Sequence, residues 1–247
     1  MEHRSSPFHQ DIKINSSTHS CQPRKKLTTC AQHCRSDVLR ASKSDSQPHI
    51  TSVIWKSYND NKQTPERLKK KMQTRQKLLE ALNEVFPIKM KKNKKIHLEG
   101  LYITGSSVTG FGHMKSDMDL TVILNPMNSH PTNILSFMKG VFRKLNFFRS
   151  PRIINAKTPL LTFHDSSSKC QCDMSLNKKD GIRNSHLLRA YASYDERVAP
   201  LVMFIKHWAK SNRIKSAHQG TFSSFTLTLM VLHYLQGTGI PTSSLVI

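Results

Sequence analysis

The spacing of apolar residues divides the chain into three segments. Residues 1–60 show little apolar periodicity and are rich in Ser, His, Gln, Lys and Arg, which is typical of disorder. Over residues 61–180 short apolar runs alternate with helical patterns, whereas residues 181–247 have helical periodicity throughout. We therefore predict a disordered basic tail, then an α+β segment, then a helical segment.

The helix that opens the second segment carries clear start and stop signals. Thr64 suits an N-cap, Pro65 suits the first helical position, and Glu66 complements the helix dipole. Pro87 ends the pattern. The predicted apolar face of this helix consists of Leu68, Met72, Leu79, Leu82 and Phe86. We assign lysines 69–71 to the solvated face of this helix.

Five apolar runs have strand character, and four longer stretches have helical spacing. The predicted strands are Ile96–Thr104, Leu120–Leu124, Ile153–Ile154, Leu160–Phe163 and Cys170–Leu176. The predicted helices are Pro131–Phe148, Arg183–Tyr194, Asp195–Ser211 and Phe225–Gln236. Trp208 is assigned to the buried face of its helix, and Ser223-Ser224 opens the last helix.

The chain is strongly basic, with 38 Lys and Arg residues against 16 Asp and Glu residues and a formal net charge of +22. This excess favours a polyanionic partner, either nucleic acid or an anionic membrane. The longest apolar stretch, Leu227–Leu235, is too short to span a bilayer, so we expect no membrane partner. The lysines between residues 89 and 95 form either a solubilising loop or a contact with an RNA backbone.

The richest cluster of candidate chemistry lies between residues 105 and 119. Asp117 and Asp119 are separated by one residue, so on an extended strand both project from the same face. Side by side they repel, and a divalent cation such as Mg²⁺ would hold both ionised. The Gly105-Ser106 turn just upstream offers N–H groups and a hydroxyl to an anion. A phosphate cradle beside a metal-binding pair indicates nucleotide chemistry.

Three further features extend this site in the later part of the chain. Asp173 lies on a predicted strand and is either a third metal ligand or an ordinary edge-strand aspartate, since catalytic acids are a minority of strand acids. Lys206 and Lys210 share a helix face, where their repulsion is either tolerated in solvent or offset by a polyphosphate. Ser224 begins a helix whose free N–H groups suit an anion.

These motifs, in this order, resemble the non-canonical poly(A) polymerases of the GLD-2 type, which are terminal nucleotidyltransferases of the DNA polymerase beta-like superfamily. The match covers about residues 65–236. The resemblance implies a mixed sheet with flanking helices over residues 61–180 and a helical PAP-associated domain over residues 181–247. In this family that domain continues past the third helix into a nucleotide-recognition loop, so we expect the helical domain of this chain to be incomplete.

The resemblance also implies roles for the carboxylates and the serine turn. Gly105 and Ser106 would hold the nucleotide triphosphate. Asp117 and Asp119 would ligate two Mg²⁺ (or Mn²⁺) ions. Asp173 would ligate one ion and take the proton from the RNA 3′-hydroxyl.

On the helical side the resemblance implies contacts to the rest of the nucleotide. Lys206, Lys210 and Ser224 would bind its phosphates. Asn184 would contact its sugar or base edge, and Phe225 would stack on the base. The family usually has tyrosine at this last position, so the polar contact of that hydroxyl is absent here.

The resemblance implies a template-independent RNA 3′-end adenylyltransferase that uses ATP and relies on RNA-binding adaptor proteins. One alternative is a uridylyltransferase, and another is an inactive RNA-binding or scaffold form. The odd number of cysteines, five, argues against a disulfide framework and favours a reducing compartment. We expect the protein in the cytoplasm, with the nucleus as the alternative.

Overall fold

The computed structural model describes residues 47–89, 95–127, 129–216 and 219–238. From Pro48 onward these residues belong to one compact unit. The helices are α1 Gln47–Asn61, α2 Pro65–Val85, α3 Ser106–Thr109, α4 Pro131–Lys144, α5 Lys179–Tyr194, α6 Val198–Ser211 and α7 Ser224–Gly237. The strands are β1 Ile88–Lys89, β2 Lys95–Thr104, β3 Met118–Asn125, β4 Phe148–Ile154, β5 Leu160–Asp165 and β6 Cys170–Leu176.

Helix α2 begins and ends where the sequence predicts, but its buried face differs from the prediction. The Thr64 hydroxyl accepts a hydrogen bond from the backbone N–H of Arg67 at 3.2 Å, so the N-cap is confirmed. Met72 is half exposed, whereas Lys71 is 0% exposed. The residues of α2 that are buried are Lys71, Thr74, Leu78, Ala81 and Leu82. The assignment of all three lysines to solvent is therefore wrong at Lys71.

The strands form one six-stranded mixed sheet in the order β1-β2-β3-β6-β5-β4. Strands β3 and β6 run parallel, and every other neighbouring pair is antiparallel. The mixed sheet with flanking helices that the resemblance implied is confirmed. Strand β6 has the predicted bounds.

One large apolar cluster joins the sheet to α2 and α4. The rings of Phe142, Phe148 and Phe163 form its aromatic part, with centroids 4.9 to 5.1 Å apart. Strand β3 contributes Met118, Leu120, Val122 and Leu124 to this cluster. Because side chains alternate along a strand, Asp119 projects from the opposite face of the sheet, away from this core.

A second apolar cluster joins α5, α6 and α7 to Phe111, the residue that follows the Gly105–Gly110 turn. Its buried residues are Phe111, Leu188, Val198, Ala199, Val202, Val231, Leu232 and Leu235. Trp208 is 49% exposed, so its predicted place in the core is wrong. The side of α6 that packs is instead marked by Val198, Val202 and the small residue Ala209.

The predicted disordered tail is wrong over residues 47–60, which belong to α1. The helix lacks a clear apolar stripe, because Ile50 and Val53 are exposed, and this explains why the apolar spacing did not reveal it. Tyr58 attaches it to the second apolar cluster. Residues 1–46, 90–94 and 239–247 lie outside the described residues, so the predictions made for them stay predictions.

The predicted helix Pro131–Phe148 ends earlier, at Lys144, because Phe148 is the first residue of β4 and packs in the aromatic core. Within the described residues, every helix lacks either the length or the apolar character that crossing a bilayer requires.

Candidate active site

The turn after β2 depends on glycines with left-handed backbone angles. Gly105 has a φ of 67° and Gly110 a φ of 89°, and the four-residue helix α3 lies between them. A Cβ atom on Gly105 would stand 2.3 Å from Oδ2 of Asp119. Glycine therefore lets the turn lie directly against this carboxylate. The N–H of Gly105 donates to Oγ of Ser185 at 2.9 Å, which ties the turn to α5.

The residues after α1 hold this turn from the other side. The side-chain amide of Gln63 donates to the carbonyl of Ser107 at 3.0 Å, and its backbone N–H donates to the carbonyl of Gly112 at 2.7 Å. His113 Nε2 lies 3.0 Å from Oδ1 of Asn61. The end of α1 and the residues after it therefore support the turn, although the sequence predicted a disordered tail up to residue 60.

The three predicted carboxylates come together on the face of the sheet that points away from the core. In the parallel β3–β6 pair, Asp119 stands directly opposite Asp173. Asp117 lies one residue before the start of β3. All three line one cavity of about 1120 Å³, together with Gly105 and Ser106.

The electrostatics of these carboxylates favour the binding of positive charge. Burial, repulsion by Asp173 and repulsion by Asp117 raise the pKa of Asp119 to about 6. Burial and repulsion by Asp173 also raise the pKa of Asp117. Within the described residues, the three side chains receive one hydrogen bond, from Gln171 to Asp173 at 3.3 Å. The cluster therefore has more acceptor capacity than the protein satisfies.

This donor set fits divalent cations of the Mg²⁺ type. Carboxylate oxygens are the ligands such ions prefer, and a cation would relieve the repulsion that raises the two pKa values. Among the described residues, no group of three or more His, Cys, Asp or Glu side chains is already placed so that it could hold a metal ion. The three carboxylates therefore offer the chemistry of a metal site without a preformed coordination shell.

A basic wall of the cavity comes from α6 and the segment after it. Lys206 and Lys210 line the cavity, and Lys215 lies with them. Burial and repulsion by Lys215 lower the pKa of Lys206 to about 8. Burial and Lys210 lower the pKa of Lys215 as well. A bound triphosphate would relieve the repulsion among these lysines. Bound cations would relieve the repulsion among the carboxylates in the same way.

The remaining predicted residues also line this cavity. Asn184 belongs to α5, and Ser224 and Phe225 begin α7. The hydroxyl of Ser223 caps α7 by accepting from the N–H of Thr226 at 3.0 Å, which leaves Ser224 as the first helical residue. Phe225 packs partly against the second apolar cluster and adds an aromatic surface beside Leu188. All ten predicted site residues thus share one cavity.

Sequence reasoning missed three residues of this region. Lys215 lies in an irregular segment after α6, where no pattern marks it. His113 lines the cavity, and burial together with nearby cations, Lys115 first among them, lowers its pKa. Lys71 lies beneath the turn, and the run of three lysines hid it, because such runs usually face solvent.

The fold of this chain is that of the RNA nucleotidyltransferases whose structures have been solved. A solved structure of the GLD-2/RNP-8 complex is similar with a TM-score of 0.66 and 35% identity, covering 76% of this chain and 57% of that chain. A solved structure of Cid1, described for its RNA terminal uridylyl transferase activity, is similar with a TM-score of 0.63 and 29% identity, covering 76% and 53%.

The chain belongs to the family described as "Poly(A) RNA polymerase, mitochondrial-like, central palm domain", which matches residues 50–193. It is 42% identical over 174 residues to Poly(A) RNA polymerase GLD2-B of Xenopus laevis, covering 68% of this chain and 32% of that protein. It is 36% identical over 193 residues to Poly(A) RNA polymerase gld-2 of Caenorhabditis elegans, covering 76% and 16%. The predicted resemblance to the GLD-2 type is confirmed, and the chain spans a third or less of the length of these two relatives.

Proposed function

We propose that this chain carries the catalytic part of a template-independent RNA 3′-end adenylyltransferase, which transfers AMP from ATP. The observation that carries the proposal is the in-register opposition of Asp119 and Asp173, beside Asp117, in one cavity with Lys206 and Lys210. Acidic and basic side chains that line one cavity suit a substrate that brings metal ions together with a polyphosphate. The GLD2 relatives support adenylyl transfer as the reaction.

The turn and the basic wall would bind and orient the triphosphate. Gly105 and Ser106, at the start of α3, line the cavity together with Asp119. Lys206 and Lys210 would hold the β- and γ-phosphates, and Ser224 would add a hydroxyl. Fixing the triphosphate at both walls aligns its α-phosphorus for in-line attack, which is the main demand of this reaction.

The three carboxylates would hold two divalent cations, Mg²⁺ or Mn²⁺. When bound, such ions neutralise charge on the reacting phosphate and favour the ionised 3′-hydroxyl. Asp173 would also accept the proton of that hydroxyl. The hydrogen bond from Gln171 would keep the Asp173 side chain oriented while it does so.

The nucleoside would occupy the apolar part of the cavity. Phe225 would stack on the base, and Leu188 and Met203 line the same space. Asn184 would contact the sugar or a base edge. None of these side chains pairs uniquely with adenine, so the preference for ATP rests on the GLD2 relatives.

A second candidate function is uridylyl transfer, because Cid1 structures share this fold at 27–29% identity. A third is an inactive RNA-binding form. All three can be separated by incubating the purified chain with a short labelled RNA, Mg²⁺ and each nucleoside triphosphate singly. ATP-dependent lengthening that is lost in Asp119→Ala supports adenylyl transfer, and UTP-dependent lengthening supports the second candidate. RNA binding without lengthening supports the third.

We further propose that protein adaptors deliver the RNA, in the cytoplasm. Solved structures show GLD-2 in complexes with RNP-8 and with GLD-3, and this chain is similar to GLD-2 in both. The net charge of +22 would add salt-sensitive, sequence-independent affinity for the RNA backbone. Pull-down of an RNA-binding protein that raises the rate of lengthening on one RNA but not on another would support delivery by an adaptor.

A further inference from the structure

The feature that the proposed reaction leaves unexplained is a fully buried lysine behind the active site. Lys71 of α2 is 0% exposed, whereas its neighbours Lys69 and Lys70 are exposed. Within the described residues, the one ion pair joins Arg197 and Asp195, so Lys71 is buried without a paired carboxylate. Burying a cation in this way is costly, and an apolar side chain of similar length would fill the same space at lower cost.

The hydrogen bonds of Lys71 go to the active-site turn and to Asp117, which follows it. Its Nζ donates to Oγ of Ser107 at 2.8 Å and to the backbone carbonyl of Asp117 at 3.2 Å. The Ser107 hydroxyl in turn donates to the same Asp117 carbonyl at 3.2 Å. Lys71 and Ser107 therefore converge on one backbone oxygen, that of the first carboxylate residue.

Two adjacent serines of the turn thus face opposite sides. Ser106 lines the cavity, whereas Ser107 is buried and lies outside the cavity lining. The turn is consequently fixed to Asp117 by a contact that leaves Ser106 free for a substrate. Burial lowers the pKa of the Lys71 amine, and the nearby Cys170, Asp119 and Asp117 oppose this shift only in part.

We propose that Lys71 is a positioning residue, which together with Ser107 fixes the turn that carries Ser106 relative to Asp117. The kinetic part of this inference rests on the proposed function, because it assumes that the turn and the carboxylate act on one substrate. Lys71 itself touches neither the cavity nor the reacting atoms. Its loss would leave both halves of the site present but no longer held at a fixed separation.

The test compares Lys71→Met, Ser107→Ala, the double variant and Lys71→Arg with the control Lys70→Met, which lies on the exposed side of the same helix. Thermal unfolding gives the folded fraction of each. Hydrogen–deuterium exchange then reports on the backbone of residues 105–117, and nucleotidyl transfer gives kcat and KM per folded molecule.

We expect faster exchange over residues 105–117 and a kcat about tenfold lower in Lys71→Met and in Ser107→Ala, with a smaller change in KM for the nucleotide. The double variant should lose no more than the larger single loss, because both act through one carbonyl. Lys71→Arg should recover part of the activity, and Lys70→Met should match the parent chain.

The inference is overturned if Lys71→Met folds and leaves exchange over residues 105–117 unchanged. If Lys71→Met does not fold, Ser107→Ala decides by the same two measurements. Losses that simply add in the double variant also overturn it, since they would mean that the two residues act separately. The exchange data need no catalysis, so a parent chain that transfers no nucleotide would contradict the proposed function while the exchange comparison still decides the role of Lys71.

Discussion

Two aspartates of the sheet, the buried Asp165 and the half-buried Asp119, have opposite surroundings. Asp165 ends β5 and accepts hydrogen bonds from Thr74 at 2.7 Å, from the Ser167 hydroxyl at 2.8 Å and from the N–H of Ser168 at 2.8 Å. Burial opposes its ionisation, but hydrogen bonds from Ser168, Thr74 and Ser167 outweigh burial and lower its pKa to about 2. Asp119 has carboxylate neighbours in place of these donors, and its pKa is raised to about 6.

The difference separates a structural carboxylate from one that the proposed function assigns to catalysis. Around Asp165 the protein itself supplies the donors, and the result is a link between α2 and the β5–β6 hairpin. Around Asp119 burial and the neighbouring carboxylates outweigh the attraction of Lys71 and Lys206, so its pKa is raised and a bound cation would relieve the repulsion. Burial raises the pKa of both aspartates, so the hydrogen-bond donors around Asp165 and the carboxylates around Asp119 account for the opposite net shifts.

The largest expected effect comes from neutralising the functional carboxylate. Asp119→Asn should lower nucleotidyl transfer by about 10³-fold or more, because the metal and phosphate chemistry needs the ionised group. The same change should raise the free energy of unfolding at pH 7 by about 2 kcal/mol in chelator, since it removes a carboxylate whose pKa is raised on folding.

The stability gain of Asp119→Asn has a pH signature. A raised pKa means that the folded state binds more protons than the unfolded state between about pH 4 and pH 6, so the parent chain loses stability as the pH rises through this window. Urea unfolding at pH 4 and at pH 7 checks it. An equal effect at both pH values would show that the raised pKa is not the cause.

The next largest effect is steric and concerns Gly105. Gly105→Ala should lower transfer by about 10²-fold, because its backbone angles are strained for alanine and its Cβ would displace the Asp119 carboxylate. Gly140→Ala is the matched control, since a Cβ there meets nothing within 4 Å and Gly140 lies in α4, outside the cavity lining. Transfer assays on both variants give the comparison, and equal losses would contradict it.

Neutralising the structural carboxylate, Asp165, should affect stability rather than nucleotidyl transfer. Asp165→Asn should lower the free energy of unfolding by about 2 kcal/mol, because an amide cannot satisfy all the donors around it. Transfer per folded molecule should stay close to that of the parent chain. Denaturant unfolding measures the loss, and Asp60→Asn, at an exposed position on α1, should change stability by less than about 0.5 kcal/mol.

The smallest expected effect is a pH dependence of metal binding. Below about pH 6 the Asp119 carboxylate is protonated, so a metal ion must displace that proton. Apparent affinity for Mn²⁺ should therefore fall by up to about tenfold for each unit of pH below 6. Titration calorimetry at pH 5 and pH 7 measures it, and a constant affinity would mean that Asp119 is not a ligand.

Much of the candidate site could be predicted from the sequence because several of its residues are close together in the chain. The spacing of Asp117 and Asp119 identifies them as a possible metal-binding pair, and the Gly105-Ser106 turn lies shortly before them. Asp173 was recognised only through the resemblance, since one aspartate on a strand carries little information by itself. Its pairing with Asp119 depends on the parallel β3–β6 register, which spacing along the chain does not encode.

The features that the sequence did not reveal depend on distant contacts. Lys71 can be buried because its ammonium group donates hydrogen bonds to Ser107 and Asp117, which are 36 and 46 residues away in the chain. Helix α1 is held through Tyr58 and the contacts of Asn61 rather than by an apolar stripe of its own. Helical periodicity reports which residues share a face, but not what lies opposite that face.

The parallel pairing of β3 with β6 has a consequence for how the protein is made. The β2–β3 hairpin can form as soon as residue 125 leaves the ribosome, yet it then carries only Asp117 and Asp119. The third carboxylate joins them only after 48 more residues, 126–173, have been synthesised and the chain has looped back past α4, β4 and β5. A nascent chain is therefore expected to remain without its full set of acidic groups until the whole sheet is complete.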